Sequence, residues 1–410
     1  MEPARSVPRA FFPLDEQLAL SKGVSLTPKQ EEHLVHLATW MPFAQAANML
    51  ETLVGVQVSE ATVRRFTEGA GNLAQAVQDQ VADSSAQPSC PKTPKSDPLV
   101  LSADGAFVPL VGGLWVEART LAIGVTTGQG EQRRPTDLSY FSRCTNAASF
   151  TSQCTGEMQR RHVFQTQHVA AVMDGAEWLQ SLLDLHVPDA VRILDFPHAA
   201  QRVSAIVEAG QQAGLLLPTD ALPRSLHLLK HRGPRPVLRW FRHVVHRLPA
   251  DHSAHEDLAY VTKREAQMQY PLYQADGWPI GSGSVESANK LVVEARLKGS
   301  GMHWALSHVN PMLALRSGAC SDQWEKTWHD LTALRGKQQR QLRKARASHF
   351  FQLATEAFLQ TWARLFLVFH RSPASPIALA DLQEPVKMVA GRPTAHHPWK
   401  RSRACLPAKN

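Results

Sequence analysis

The chain has 410 residues, 43% hydrophobic and 20% charged, which supports one full core and an organisation into two or three domains and argues against a disordered protein. Forty-four Lys and Arg against 36 Asp and Glu give a net charge of +8 and favour a polyanionic partner. The five scattered cysteines (Cys90, Cys144, Cys154, Cys320, Cys405) lack any CxxC pair, which excludes a disulfide framework and a zinc site and points to a reduced cytoplasm. No basic-then-apolar leader and no run of about 18 uninterrupted apolar residues is present. The expectation is a cytoplasmic protein with no membrane partner.

Residues 1–25 contain prolines, lack periodicity and read as a leader. A small helical domain is expected over 26–88. Within it PFAQAANMLETLVGVQVSEATVRRFTEGAG (42–71) carries helically spaced apolar residues, a turn at Gly55 and a second helix opened by Ser59 as N-cap. Ala46 and Ala47 let two helices approach closely, and Val56 and Val63 face the core. This layout fits a helix-turn-helix in which Thr62, Arg64 and Arg65 reach DNA, although any small helical hairpin has the same pattern. The Pro-rich stretch at 89–98 reads as a linker.

Strand signals follow. LVLSADGAFVPL (99–110) and LWVEARTLAIGVTT (114–127) flank Gly112 and Gly113 as an antiparallel hairpin requires. HVAAVMDGAEWLQSLLDLH (168–186) and VRILDFPHAAQRVSAIVEAG (191–210) each pass from a short apolar strand into a helix. Together these predict an α/β fold: a mixed sheet flanked by helices, with Asp104, Asp174 and Asp195 at the carboxyl ends of strands, where ligands are favoured.

A third acidic segment, GSGSVESANKLVVEARLKGSGMHW (281–304), predicts a helix N-capped by Ser284, with an apolar stripe of Val285, Ala288, Leu291, Val292 and Ala295. Glu286 falls in its first turn, where the helix dipole alone favours an acid. Asn289, Lys290 and Arg296 are expected outside the stripe, the last two as DNA contacts. Asp104, Asp174 and Glu286, one carboxylate from each of three distant segments, suggest a site for hard divalent cations and phosphodiester chemistry.

The spacing from Asp174 to Glu286 is too long for one ordinary crossover, so residues 211–276 are expected to be a helical insertion between a first core segment (99–210) and a second (277–330). In LHLLKHRGPRPVLRWFRHVVHRL (226–248) there are six Lys or Arg and no acid. Pro236 would start a helix burying Leu238, Phe241, Val245 and Leu248. Arg239, Arg242, His243, His246 and Arg247 would then project outward, as a DNA-backbone face or simply a solvated one. Glu157, beside Arg160 and Arg161, reads as a surface ion pair and an outside candidate for catalysis. Trp178, Trp278 and Trp304 lie near the acids and could stack a displaced base, with core packing the commoner use. Residues 331–410 form a basic, partly apolar helical region and a tail, for DNA or a second subunit.

The strings SADGAFV, VMDGAEWLQ, VRILDFPHAAQRV and GSGSVESANKLVVEARLKGSGMHW, with Met312 to Arg316, resemble bacterial insertion-sequence transposases of the ISKra group and, more distantly, Mutator-type transposases. The resemblance covers about residues 99–316. It implies a ribonuclease H-like core interrupted by a helical insertion, with Asp104, Asp174 and Glu286 as a DDE triad binding two Mg2+, Mn2+ being able to substitute. Mutator-type enzymes place a Cys and a His after the second acid. Here His198 is retained without a neighbouring Cys, and Asp195 stands there instead, as a rival second ligand or as an orienter of its neighbours. The implied activity is binding of element ends, DNA cleavage and joining of 3′ ends to target DNA, by a homo-oligomer associated with the nucleoid. A stand-alone nuclease or resolvase and a non-enzymatic DNA-binding regulator are the alternatives.

Overall fold

The structure is a computed structural model describing residues 26–84, 97–128 and 134–369, with side chains to residue 363. The chain divides into two compact units, Met1–Arg340 and Gln341–Asn410. The expected leader, most of the expected linker and the tail beyond residue 369 lie outside the described residues.

The first unit opens with α1 (Pro28–Trp40), α2 (Phe43–Val54) and α3 (Glu60–Ser84). Thr27 and Gln30 close a capping box on α1. Gly55 ends α2 at φ 69°, a left-handed turn suited to glycine, and the Ser59 hydroxyl accepts from the Thr62 N–H as the expected cap. Ala46, Leu50 and Val63 are fully buried between these helices. Helix α3 has 25 residues and runs well beyond the expected hairpin.

A five-stranded mixed sheet follows, built from β1 (Leu99–Pro109), β2 (Trp115–Thr127), β3 (Arg134–Arg143), β4 (Val169–Met173) and β5 (Val191–Leu194) in the order β3-β2-β1-β4-β5. The α/β class with a mixed sheet is as expected. β1 and β2 form the anticipated antiparallel hairpin around Gly112 and Gly113, both at positive φ. β4 runs parallel to β1 and β5 parallel to β4.

Alternation along the strands supplies two cores. Leu99, Leu101, Ala103, Leu121 and Ile123 pack on α4 (Ala147–Gln153), α5 (Thr155–Arg160) and α6 (Glu177–His186). On the other face Val100, Ala170, Val172 and Ile193 meet α7 (Phe196–Gln212) and the following helices. Those helices are α8 (Ala221–Arg232), α9 (Pro234–Val245), α10 (Ala254–Lys263) and α11 (Tyr270–Ala275). Farther along the same face Ala106, Val108 and Ala118 are covered by α12 (Gly283–Ala288), a π-helical segment (Asn289–Glu294), α13 (Ala295–Leu297) and α14 (Leu306–Cys320).

Several local expectations are corrected. Asp104 is not at a strand end; it pairs with Thr120 in mid-β1. However, β4 pairs with β1 only through Leu101, so the edge of β1 has no strand partner over Ser102–Val108, until Trp304 bridges it at Leu110. Helix α9 begins at Pro234, not Pro236, because Gly233 at φ 81° makes the turn; Leu238, Phe241 and Val245 are buried as expected. Helix α12 starts at Gly283 after Ser282, so Ser284 is no N-cap. The buried positions through the π segment keep an i, i+3, i+4, i+7 repeat from Val285, which leaves Leu291 and Ala295 off the stripe. Val285, Ala288 and Val292 face inward, but Leu291 and Ala295 are exposed, and Val293, Arg296 and Leu297 are buried in their place.

Helix α15 (Trp324–Phe369) starts in the first unit, where Trp324 and Leu331 are buried. In the second unit it exposes Leu342, Phe350, Phe351 and Phe358. Among the described residues no helix is long and apolar enough to cross a membrane.

Candidate active site

Parallel pairing of β1, β4 and β5 brings the ends of β4 and β5 beside the open edge of β1. Asp104 is half-buried there. Its Oδ1 accepts from the Gly105 N–H at 2.7 Å and its Oδ2 from the Asn289 carboxamide at 3.1 Å. Burial raises the Asp104 carboxyl above the ordinary carboxylate range; the charges of Asp174 and Glu286 push the same way, while the Gly105 N–H and His198 oppose them. Asp104, Asp174, Glu286 and His198 therefore share one electrostatic neighbourhood, as residues scattered over the sequence do only when the fold converges them.

Asp174 follows β4 directly, and its carboxylate accepts from the Ala176 N–H in a tight turn ahead of α6. Gly175, between them, is held from the helical region. Its N–H donates to the Tyr260 hydroxyl at 2.9 Å, and its carbonyl accepts from Arg264. Arg264 is 5% exposed, stacks on the Tyr260 ring at 4.0 Å and pairs with Glu177 at 3.1 Å. A side chain at Gly175 would collide with both Arg264 and Tyr260. Tyr260 and Arg264 carry no local sequence signal, because the link joins residues 85 or more apart.

Asp195 follows β5 and caps α7. It is fully buried, and its oxygens are occupied: Oδ1 accepts from the Ser282 N–H at 2.5 Å, and Oδ2 accepts from the His198 N–H at 3.2 Å and from the His198 ring Nδ1 at 2.5 Å. The hydrogen bond to Asp195 raises the His198 pKa against the effect of its burial, with help from the charges of Asp195, Asp174 and Asp104. The Asp195 carboxyl is lowered although burial, its largest influence, acts the other way; the bonds from His198 and Ser282 prevail. Asp195 thus orients His198 and also ties down the segment leading into α12.

Glu286 is exposed on α12. Val285 and Ala288 anchor the helix in the core. The Ser284 hydroxyl donates to Ser102 at 3.2 Å, and Asn289 donates to Asp104 one turn on, so the helix lies along β1. Asp104, Gly105, Phe107, Glu286, Asn289, Lys290, Glu294 and Lys298 line the resulting cleft. Among the described residues, no group of three or more His, Cys, Asp or Glu converges closely enough to hold a single metal ion. Asp104 and Glu286 share the cleft, Asp174 acts on Asp104 from the end of β4, and the three form no closed cage. Asn289 was not singled out as a site residue from sequence; its Oδ1 is buried without a partner beside Asp104, an arrangement suited to a hard cation.

The other expected residues divide. Lys290 is exposed at the cleft, Arg64 and Arg65 are exposed on α3, and Arg239, Arg242 and Arg247 are exposed on or just after α9. Arg296 is not a DNA contact: it is 2% exposed, its Nε donates to the Ala38 carbonyl at 2.9 Å, and it lies over Phe43 and Trp304. At i+4 from Val292 and i+11 from Val285, it falls on the buried helical face. Glu157 is held by Arg160 at 2.6 Å. Trp178, Trp278 and Trp304 all pack against core clusters, Trp304 at 8% exposure. No protein-family model matches the sequence, and no curated protein matches it.

Proposed function

We propose that the chain is a DDE-type transposase, a metal-dependent polynucleotidyl transferase that binds insertion-sequence ends, cleaves DNA and joins the 3′ ends to target DNA. One observation carries this reading: Asp104 and Glu286 line one cleft, and the charges of Asp174, Glu286 and a His198 held by Asp195 all reach the Asp104 carboxyl. A mixed sheet with acids on adjacent strands, followed by helices α8–α11 and then the acid-bearing α12, agrees with a ribonuclease H-like core interrupted by a helical insertion. The three N-terminal helices, with Arg64 and Arg65 exposed, agree with a helix-turn-helix for end recognition.

In this reading Asp104, Asp174 and Glu286 hold Mg2+, or Mn2+ in its place, with the free Asn289 oxygen beside Asp104. A bound divalent cation supplies activation of the attacking oxygen and stabilisation of charge at the phosphate. Among the described residues no three His, Cys, Asp or Glu side chains converge on one point, so the carboxylates as placed form an open site and not a closed cage. Asp195 is assigned as the residue that orients His198, because its oxygens are already bound, and Asp174 as the second acid. His198, whose proton is held more tightly by its bond to Asp195, can donate to a phosphate oxygen. Lys290, Arg239, Arg242 and Arg247 would hold the DNA backbone. Pairing of two DNA ends calls for a homo-oligomer.

The test is joining. Purified protein, Mg2+ and labelled duplexes ending in the DNA that flanks its coding segment should yield strand-transfer products. Hydrolysis without joining would replace this reading with a nuclease or resolvase, and binding without cleavage would replace it with a regulator.

A further inference from the structure

The β1–β2 hairpin carries aromatic side chains that the fold does not use. Beyond Ala103, the sheet face packed against α4–α6 loses its helical cover. On that face Phe107 sits opposite Glu117 and Pro109 opposite Trp115, so Phe107 and Trp115 are diagonal neighbours on the same side of the ribbon. They are 56% and 57% exposed, whereas Trp178, Trp278 and Trp304 pack against the core. Val111 and Leu114, at 65% and 67%, extend the apolar surface to the hairpin tip. Two large aromatics left in water so close together are unusual for a structural hairpin.

Phe107 is three residues from Asp104, so its ring is on the opposite face of β1, and it borders the cleft of Asp104, Glu286, Lys290 and Lys298 at the strand edge. The cleft exists because β1 continues to Pro109 after its pairing with β4 stops at Leu101. Carboxylates and lysines on one face of β1 and exposed aromatic rings on the other thus meet across the strand edge that β4 leaves unpaired. A ligand with a phosphate backbone and a flat base matches that arrangement: the lysines meet phosphate, and the rings meet an unstacked base. We infer that Phe107 and Trp115 form a stacking platform for an unpaired nucleotide of the DNA bound at the carboxylate cleft. The inference rests on the proposed DNA chemistry and adds a residue-level account of how the strand is held open beside the acids.

The probes are a duplex with one unpaired 2-aminopurine nucleotide and a fully paired duplex carrying the same fluorophore. Wild-type protein should bind the unpaired probe more tightly and quench it. Phe107→Ala and Trp115→Ala should each weaken that binding by roughly tenfold and leave the paired probe unaffected, while Trp115→Phe keeps the quench. Equal quenching by wild type and both alanine variants overturns the platform. So does a change of oligomeric state in those variants by light scattering, which would make the hairpin a seat for a second copy. A wild-type protein that binds neither duplex instead sinks the DNA reading itself, and the platform with it.

Discussion

His198 Nδ1 lies 2.5 Å from Asp195 Oδ2, and the other oxygen of the same carboxylate accepts from the Ser282 N–H. One buried acid therefore fixes both the histidine whose charge reaches Asp104 and the approach to the Glu286 helix. Asp195 was open between metal ligand and orienter on sequence grounds; its hydrogen bonds favour the second role.

That pair gives a pH-dependent stability. His198 holds its proton more tightly in the folded chain than its ordinary value of 6.5 implies, so its contribution is complete below 6.5 and is lost as pH rises through the raised value. Asp195 is lowered from 3.8, so its share is present above 3.8 and is lost as pH falls through the lowered value. His198→Ala should cost about 1–3 kcal/mol near pH 5 and less above neutrality. Urea denaturation at both pH values checks this; a gap that widens with pH contradicts it.

Arg296 and Lys290 should respond oppositely. Arg296→Ala leaves the Ala38 carbonyl without its donor and removes packing on Phe43 and Trp304, so a loss of roughly 2–4 kcal/mol is expected. Lys290→Ala, at an exposed position, should change stability by less than about 0.5 kcal/mol and weaken binding to duplex DNA, with a shallower salt dependence. Paired denaturation and salt-titrated binding measurements separate the two.

The turn carrying Asp174 depends on Tyr260 and Arg264. Tyr260→Phe removes the donor-acceptor link to the Gly175 N–H, and Gly175→Ala forces both side chains away. Each should lower the cleavage rate constant by about tenfold or more through misplacement of Asp174, with duplex affinity retained. Unchanged rates would show that the turn holds its shape without the helical region.

Helices α3 and α14 touch through Gly71. A Cβ at that position would lie 2.7 Å from the Pro311 carbonyl oxygen, and backbone cannot turn aside as a side chain can. Gly71→Ala should destabilise the fold by about 1–3 kcal/mol, read as a lower thermal midpoint in calorimetry.

Much of this was legible in sequence. Apolar runs ended by Asp174 and Asp195 marked two strand-to-helix units, and Gly112–Gly113 marked the hairpin. β3 was not assigned: RPTDLSYFSR mixes polar and apolar residues, and its burial comes from long-range packing on β2 and α14. The π segment escaped because it leaves the composition of NKLVVE unchanged, and Arg296 was placed outside the stripe although it lies i+4 from Val292 on the buried face. Asp195 did carry a local signal. An Asp two residues before Pro197 and three before His198 has the form of a helix cap, with the histidine one turn away.

The central claim is that Asp104, Asp174 and Glu286 carry the chemistry while Asp195 supports it. Mg2+-dependent cleavage of a labelled duplex should be measured for wild type, Asp104→Asn, Asp174→Asn, Glu286→Gln and Asp195→Asn. The account predicts background rates for the first three variants and a reduced but measurable rate for Asp195→Asn. Full activity in Asp174→Asn together with complete loss in Asp195→Asn would move the second acid, and full activity in all four would remove the carboxylate cleft as the site of chemistry.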